Sequence, residues 1–277
     1  GDSLISGIDA RDIHMDLNGE IGNNIGGLIG GVNGGLQNIT ANGVSIDYLS
    51  YPGTANEGIG GIVGFIEQAN EVSNIYASNI RLGTDALSVT NALSIGLFAG
   101  LAENNSNLRN IKIVGSISAH NSTDGVGGVF GKAISSTGSY SNIISEVDIF
   151  SEGNRVGGIV GISQNNTRFE YLRSSGSIEC SNQCGGLIGS SSNSEIVQSY
   201  NATSLSSSVA SSTNDIGGIV GLSTGDETIL GVQNVGEISF GAPGNGANIG
   251  GIIGKYSGSG GSSNLNLLIN HANVTGY

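Results

Sequence analysis

The chain has 277 residues, 49 of them Gly and 2 Pro, and its 22 acidic against 9 basic groups leave a net charge of −13. Charged residues make up only 11%, which together with the glycine excludes a helical bundle; no every-third glycine period supports collagen, and the aliphatic content excludes a disordered linker. A phosphate backbone or an anionic membrane surface would be repelled, no apolar run reaches the length of a membrane helix, and the acidity reads first as a solubility device.

The sequence begins "GDSLIS" in mid-pattern, without a signal peptide, and reads as a mature product or a segment of a longer protein. The first element, "ISGIDARDIHM" at residues 5–15, is a strand phrase. Next comes "IGGLIG" at residues 25–30, then "LQNITANGVSID", and from there the two phrases alternate. The glycine phrase occupies residues 26–30, 60–64, 96–100, 127–131, 157–161, 185–189, 217–221 and 250–254, with steps of 34, 36, 31, 30, 28, 32 and 33. Its third copy, "GLFAG", has Leu97 where the others have a second Gly. In the second phrase an aliphatic holds the fourth place (Ile39, Ile75, Ile111, Ile143, Leu172, Val232, Leu268), with Ser199 the exception. Another aliphatic follows about six residues later: Ile46, Leu82, Ile117, Ile149, Ile178, Leu205, Ile238 and Val274.

Short alternating bursts such as "GSISA" and "GEISF" are strands by period, and turn formers at residues 42–43, 52–53, 124–125 and 243–244 separate such bursts. No unit holds a helical pattern, and no single unit can bury its own aliphatics, so equivalent units must stack. The expectation is all-β: a single-stranded parallel β-helix of about nine turns at ~32 residues per turn, on the order of 40 Å long. It forms one domain over residues 1–277, with a truncated first turn at 1–20 and later turns beginning near 26, 60, 96, 127, 157, 185, 217 and 250. A propeller blade needs about 40–45 residues, more than these units have. The structural glycines are Gly26, Gly30, Gly60, Gly64, Gly127, Gly131, Gly157, Gly161, Gly217, Gly221, Gly250 and Gly254. Either the chain bends at them and both aliphatics of each phrase turn inward, or one apolar column sits outside and is covered.

The blocks "GGLIG", "GGIVG" and "GGVFG" resemble the GLUG motif, and the resemblance runs from about Ile5 to Tyr277. Such repeats belong to large secreted or surface proteins of bacteria, including adhesin-like proteins and immunoglobulin A-cleaving metallopeptidases. The resemblance implies a β-helical extracellular repeat module. It implies no peptidase here, since the chain has no His-Glu-x-x-His run.

Chemistry is sparse. His14, His120 and His271 stand in different repeats and cannot converge in a regular coil, which removes histidine-based triads. Glu67 and Glu103 hold matching places in adjacent units and are the best carboxylate pair for glycoside cleavage, though they read more simply as solvated loop groups. Asp226 and Glu227 read as a solvated acidic turn. No calcium-loop motif appears, so no cofactor is expected, although the acidity leaves Ca2+ open. Cys180 and Cys184 in "CSNQC" are a disulfide or two free thiols; no second pair suggests zinc. The widest steps mark inserted loops at residues 47–58 and 83–94, where Tyr48, Tyr51 and Asp85 are the candidate binding residues; a glycine-rich stretch at 239–248 is a third candidate loop. These features lead to a non-enzymatic, extracellular or cell-surface module of a bacterial adhesin or secreted giant, acting as stalk, contact surface or both. Its partners would be a host or neighbouring-cell protein or glycan and flanking domains of its own polypeptide, without nucleic acid or membrane insertion. A β-helical polysaccharide lyase or hydrolase is the alternative, followed by a viral attachment fibre.

Overall fold

A computed structural model describes residues 3–17, 24–48, 58–83, 94–104, 107–119, 124–207, 214–240, 247–258 and 263–276. Among them there is no helix, and the strands form one twelve-stranded and two eight-stranded sheets in which every pairing is parallel. Each turn runs through a three-residue strand such as Gly58–Gly60, a bend, a five-residue strand such as Val63–Glu67, a corner, and a long strand such as Val72–Leu82. The coil is the expected parallel β-solenoid, but nine turns was slightly too many. From Gly26 to Gly250 the chain makes about seven turns of about 32 residues. The segment before them, Leu4–Leu17, adds a strand to the long sheet alone and so completes no turn.

The bend answers the question left by adjacent aliphatics. At Gly61 and Ile62 the strand breaks, and both Ile62 and Val63 are fully buried. Bending lets two neighbours in sequence leave solvent together, which a flat strand forbids. The glycines make the bend feasible. A Cβ on Gly60 would overlap the carbonyl oxygen of Val63, and one on Gly64 would lie 2.6 Å from the backbone of Gly30 and Ile25. The two short sheets therefore meet backbone to backbone at these positions. Leu97 is tolerated because the facing long strand has Gly115, whose Cβ would stand 2.9 Å from the leucine side chain.

The long strands carry the two predicted aliphatic columns in register, Ile39–Ile75–Ile111–Ile143–Leu172 and Ile46–Leu82–Ile117–Ile149–Ile178, all buried. Between the inward residues Leu36 and Ile39 the chain inserts one left-handed residue, a bulge that returns the next side chain to the core. That residue recurs in every rung: Gly7, Asn38, Asn74, Asn110, Asn142, Tyr171, Gln198, Gly231 and Leu267, with φ between 47° and 76°. Asn adopts this region at low cost, and four of the asparagines form an outer ladder: Nδ2 of Asn74, Asn110 and Asn142 each donates to the Oδ1 below at 3.1, 3.2 and 2.9 Å, and Asn38 donates to Ser6. Ser199, the exception among the aliphatics, is buried; its Oγ accepts from the Leu172 N–H and donates to the Val197 carbonyl, and the long strand divides there into Glu195–Val197 and Tyr200–Ser207.

The interior changes character along the axis. One inner column of the long sheet runs Ala10, Ala41, Ala77, Ile113, then Ser145, Ser174, Asn201, Asn234, Asn270. The facing column of the second short sheet runs Ile66, Ala102, Ala133, then Ser163, Ser191, Ser223. Where the change begins, Phe98, Phe130, Tyr140 and Phe169 pack at 5.2–5.7 Å between ring centres.

Candidate functional site

The predicted binding residues are only partly reached by the structure. Tyr48 ends the strand Gly35–Tyr48, while Tyr51, Asp85 and most of the 239–248 loop lie outside the described residues, as does His120. His14, near Ser45 at 2.8 Å, and His271 stand at opposite ends of the coil and do not meet. Glu67 and Glu103 are in register on neighbouring rungs, as their spacing suggested. Among the described residues no group of three or more His, Cys, Asp and Glu is placed to hold a metal ion. Cys180 and Cys184 are bonded, S–S 2.08 Å, linking the end of the long strand Arg168–Cys180 to the next short strand. Cys184 takes the buried place that Ile95, Val126 and Val156 fill in earlier turns.

The reading of Asp226 and Glu227 as a solvated turn needs correction. Asp226 is exposed, but Glu227 is fully buried. It stands at the corner before the long strand Thr228–Asn234, the place held by Thr167 and Ser194 in the turns below. Those positions face the core because the corner packs against the serine column, a fact invisible in an isolated Asp-Glu pair. Its Oε2 accepts from Ser191 Oγ at 3.1 Å and the Ser194 N–H at 3.0 Å; its Oε1 has no hydrogen-bond partner. Burial pushes this carboxyl up to about 7, the hydrogen bonds it accepts opposing the rise.

The outward face of the long sheet presents the most distinctive surface chemistry. Its outer column runs Thr40, Tyr76, Lys112, Ile144, Arg173, Tyr200 and Gln233 in register. Lys112 is paired with Glu146 at 2.7 Å, and Arg109, one bulge away, pairs with Glu71 at 2.6 Å and holds that carboxyl below its ordinary range. Arg168 engages both Glu195 and Glu170, which raises its own pKa further. Beyond these pairs, where the asparagine ladder stops, lies a depression of about 490 Å³ lined by Asn142, Tyr171, Arg173, Gln198, Tyr200 and Gln233 among others. Arg173 sits 5.9 Å from the centre of the Tyr200 ring, within cation–π range. Sequence reasoning missed this place, but a signal existed: in "FEYLRSSGSIE" Tyr171 takes the position that four earlier phrases give to Asn. In comparison with known protein families, curated proteins and solved structures, the chain has no match.

Proposed function

We propose that this chain is a non-catalytic repeat module of a bacterial surface adhesin or large secreted protein, serving as stalk and contact surface. The observation that carries the reading is the outer face of the long sheet, where a glycine-cornered coil displays a depression lined by Tyr171, Arg173 and Tyr200 and by no carboxylate, the neighbouring Glu146 being paired with Lys112. The resemblance of its glycine phrases to GLUG repeats supports the same reading, and the Cys180–Cys184 disulfide suits an oxidising, extracellular setting. The expected partner is a glycan or protein on a host or neighbouring cell. Binding of the chain on broad glycan and protein arrays is the expected result; silence on both, with binding only by flanking domains, would reduce the module to a spacer.

A second reading, a polysaccharide lyase or hydrolase, is favoured by one observation: Glu67 and Glu103 stand on adjacent rungs about 4.8 Å apart, near the separation of retaining glycosidases. Against it, neither carboxylate lines the depressions of the long sheet. Product release from acidic polysaccharides that disappears in Glu67→Gln and Glu103→Gln would establish this reading over the first.

A further inference from the structure

We propose that the depression around Tyr171, Arg173 and Tyr200 binds an anionic saccharide, a sugar chain bearing carboxylates such as a uronic-acid oligomer. The proposal deepens the contact-surface reading and rests on it.

Three independent features of the fold carry it. The first is backbone cost. Tyr171 holds φ of 54° at a position where Asn serves four earlier rungs and Gly stands at residues 7 and 231, with Gln198 on the following rung and Leu267 on the last. A bulky residue in that region is strained, and the ring recovers little by packing, since it is 54% exposed. The tyrosine also ends the ladder, leaving Asn142 Oδ1 with no side-chain donor above it among the described residues. A sequence that keeps an exposed, strained aromatic in place of a compatible Asn keeps it for contact.

The second is charge. The arginines Arg11, Arg81, Arg109, Arg155 and Arg168 each pair with a carboxylate, whereas Arg173 is exposed and, like Lys132 and Lys255, has no carboxylate partner among the described residues. No acidic side chain lines this depression, although the protein carries −13 overall; Glu146, which shares the adjoining hollow with Arg173 and Tyr200, is paired with Lys112, and the nearby Glu170 and Glu195 are both engaged by Arg168. An unpaired guanidinium, its plane free for two parallel bonds, is suited to a carboxylate.

The third is the mixture of lining groups. The exposed Tyr171 ring offers a face to the C–H side of a pyranose, Tyr200 carries Arg173 over its ring and presents its hydroxyl, and the amides of Asn142, Gln198 and Gln233 offer donors and acceptors to the sugar hydroxyls. A protein partner would instead demand a desolvated apolar centre, and this shallow, amide-rich hollow has none. Gly231, on the rung of Gln233, adds no side chain to the upper edge of the hollow.

The test uses the whole chain, titrated by calorimetry and NMR with oligogalacturonate, hyaluronan and alginate oligomers and with their carboxyl-reduced counterparts. The expected result is that at least one acidic oligomer binds, and that its reduced form binds about tenfold more weakly or worse. Arg173→Gln should lower affinity for the acidic oligomer by a similar factor and leave the reduced form unchanged. Tyr171→Asn should abolish binding of both while the melting temperature holds or rises, since Asn suits the left-handed backbone and extends the ladder from Asn142. A ring needed only for packing would give the opposite: a lower melting temperature. That outcome, equal binding by Tyr171→Asn, or silence toward all three acidic oligomers overturns the site. Protein binding on the arrays without saccharide binding overturns this ligand class and leaves the contact-module reading standing.

Discussion

In the first turns the inner column of the long sheet is Ala41 and Ala77; in the later ones, at matching register, it is Asn201 and Asn234. Both pairs are buried, yet they fill the coil by different means: Asn201 and Asn234 lie against the second glycines Gly186 and Gly218, whereas in the early turns Val44 and Ile80 take that place against Gly27 and Gly61. The early turns rely on dispersion and apolar burial, which any similar volume supplies. The later turns rely on an amide stack, buried at Asn201 and Asn234 and ending at the exposed Asn270: Asn201 Nδ2 donates to Asn234 Oδ1 at 2.7 Å, and Asn234 Nδ2 donates to Asn270 Oδ1 at 2.9 Å. The same side chain of Asn234 also accepts from the Gly236 N–H at 3.1 Å and donates to the Gly251 carbonyl at 3.0 Å. One backbone path thus accepts either filling, but the polar one binds every rung to the next by specific geometry.

That difference makes opposite errors costly in the two regions. Asn234→Leu would take from Asn201 Nδ2 its acceptor on the next rung, leaving it the Thr203 carbonyl, and would strand the backbone N–H of Gly236 inside the core; its branch would press on Gly218, against which the amide already lies closely. The expected loss is about 3–5 kcal/mol. Ala77→Asn, in the same column between Ala41 and Ile113 where the core is still apolar, should lose a similar amount for the reverse reason, an amide buried without side-chain partners. Urea titration reads the size, and amide exchange should show the Asn234→Leu damage centred on the later turns. A neutral Asn234→Leu would mean that the ladder merely fills space and the two regions are equivalent.

The next effect belongs only to the polar region. Glu227 has a folded-state value of about 7 against an ordinary 4.5 because burial disfavours its charge. Between those values the unfolded chain has released the proton while the folded chain still holds it. Stability therefore falls as pH rises from about 4.5 to about 7 and then levels off, by up to about 3 kcal/mol. Glu227→Gln, which keeps an acceptor for the Ser194 N–H, should gain about 1–3 kcal/mol at neutral pH and flatten the profile over that window. Denaturation midpoints at pH 5 and pH 7.5 check both; a wild-type midpoint that rises across the window would contradict the burial of this carboxyl.

Repeat spacing made the coil itself legible, because regularly recurring glycine phrases leave few ways to bury their aliphatics. Register of the Ile39 and Ile46 columns followed directly. The change of filling was harder to see: Ser, Thr and Asn read as turn formers in isolation, and only stacking shows that Ser191, Asn201 and Glu227 face inward. The surface site was legible only as a departure from a column, Tyr171 among asparagines, whereas loop length drew attention to Tyr48, Tyr51 and Asp85. Spacing reports where the chain has spare residues; it carries no information about which outward positions cost backbone energy.

The smallest effect sharpens the comparison on the outside of the coil, where the early turns are the polar ones. Asn74 donates to Asn38 and accepts from Asn110 while holding φ of 58°. Replacing it with Gly removes both bonds but keeps a backbone at ease in that region, whereas Ala removes the bonds and adds the left-handed cost. Since the bonds are exposed, Asn74→Gly should lose less than about 1 kcal/mol, and Asn74→Ala about 1–2 kcal/mol more, the usual penalty for a Cβ there. At Tyr171 the ordering should invert: Gly ought to be at least as stable as the native residue, because the ring adds strain without a ladder bond. Denaturation of the four proteins with Gly or Ala at 74 and at 171 tests this. If Tyr171→Gly loses as much as Asn74→Ala, the tyrosine holds the rung together and its exposure has another cause.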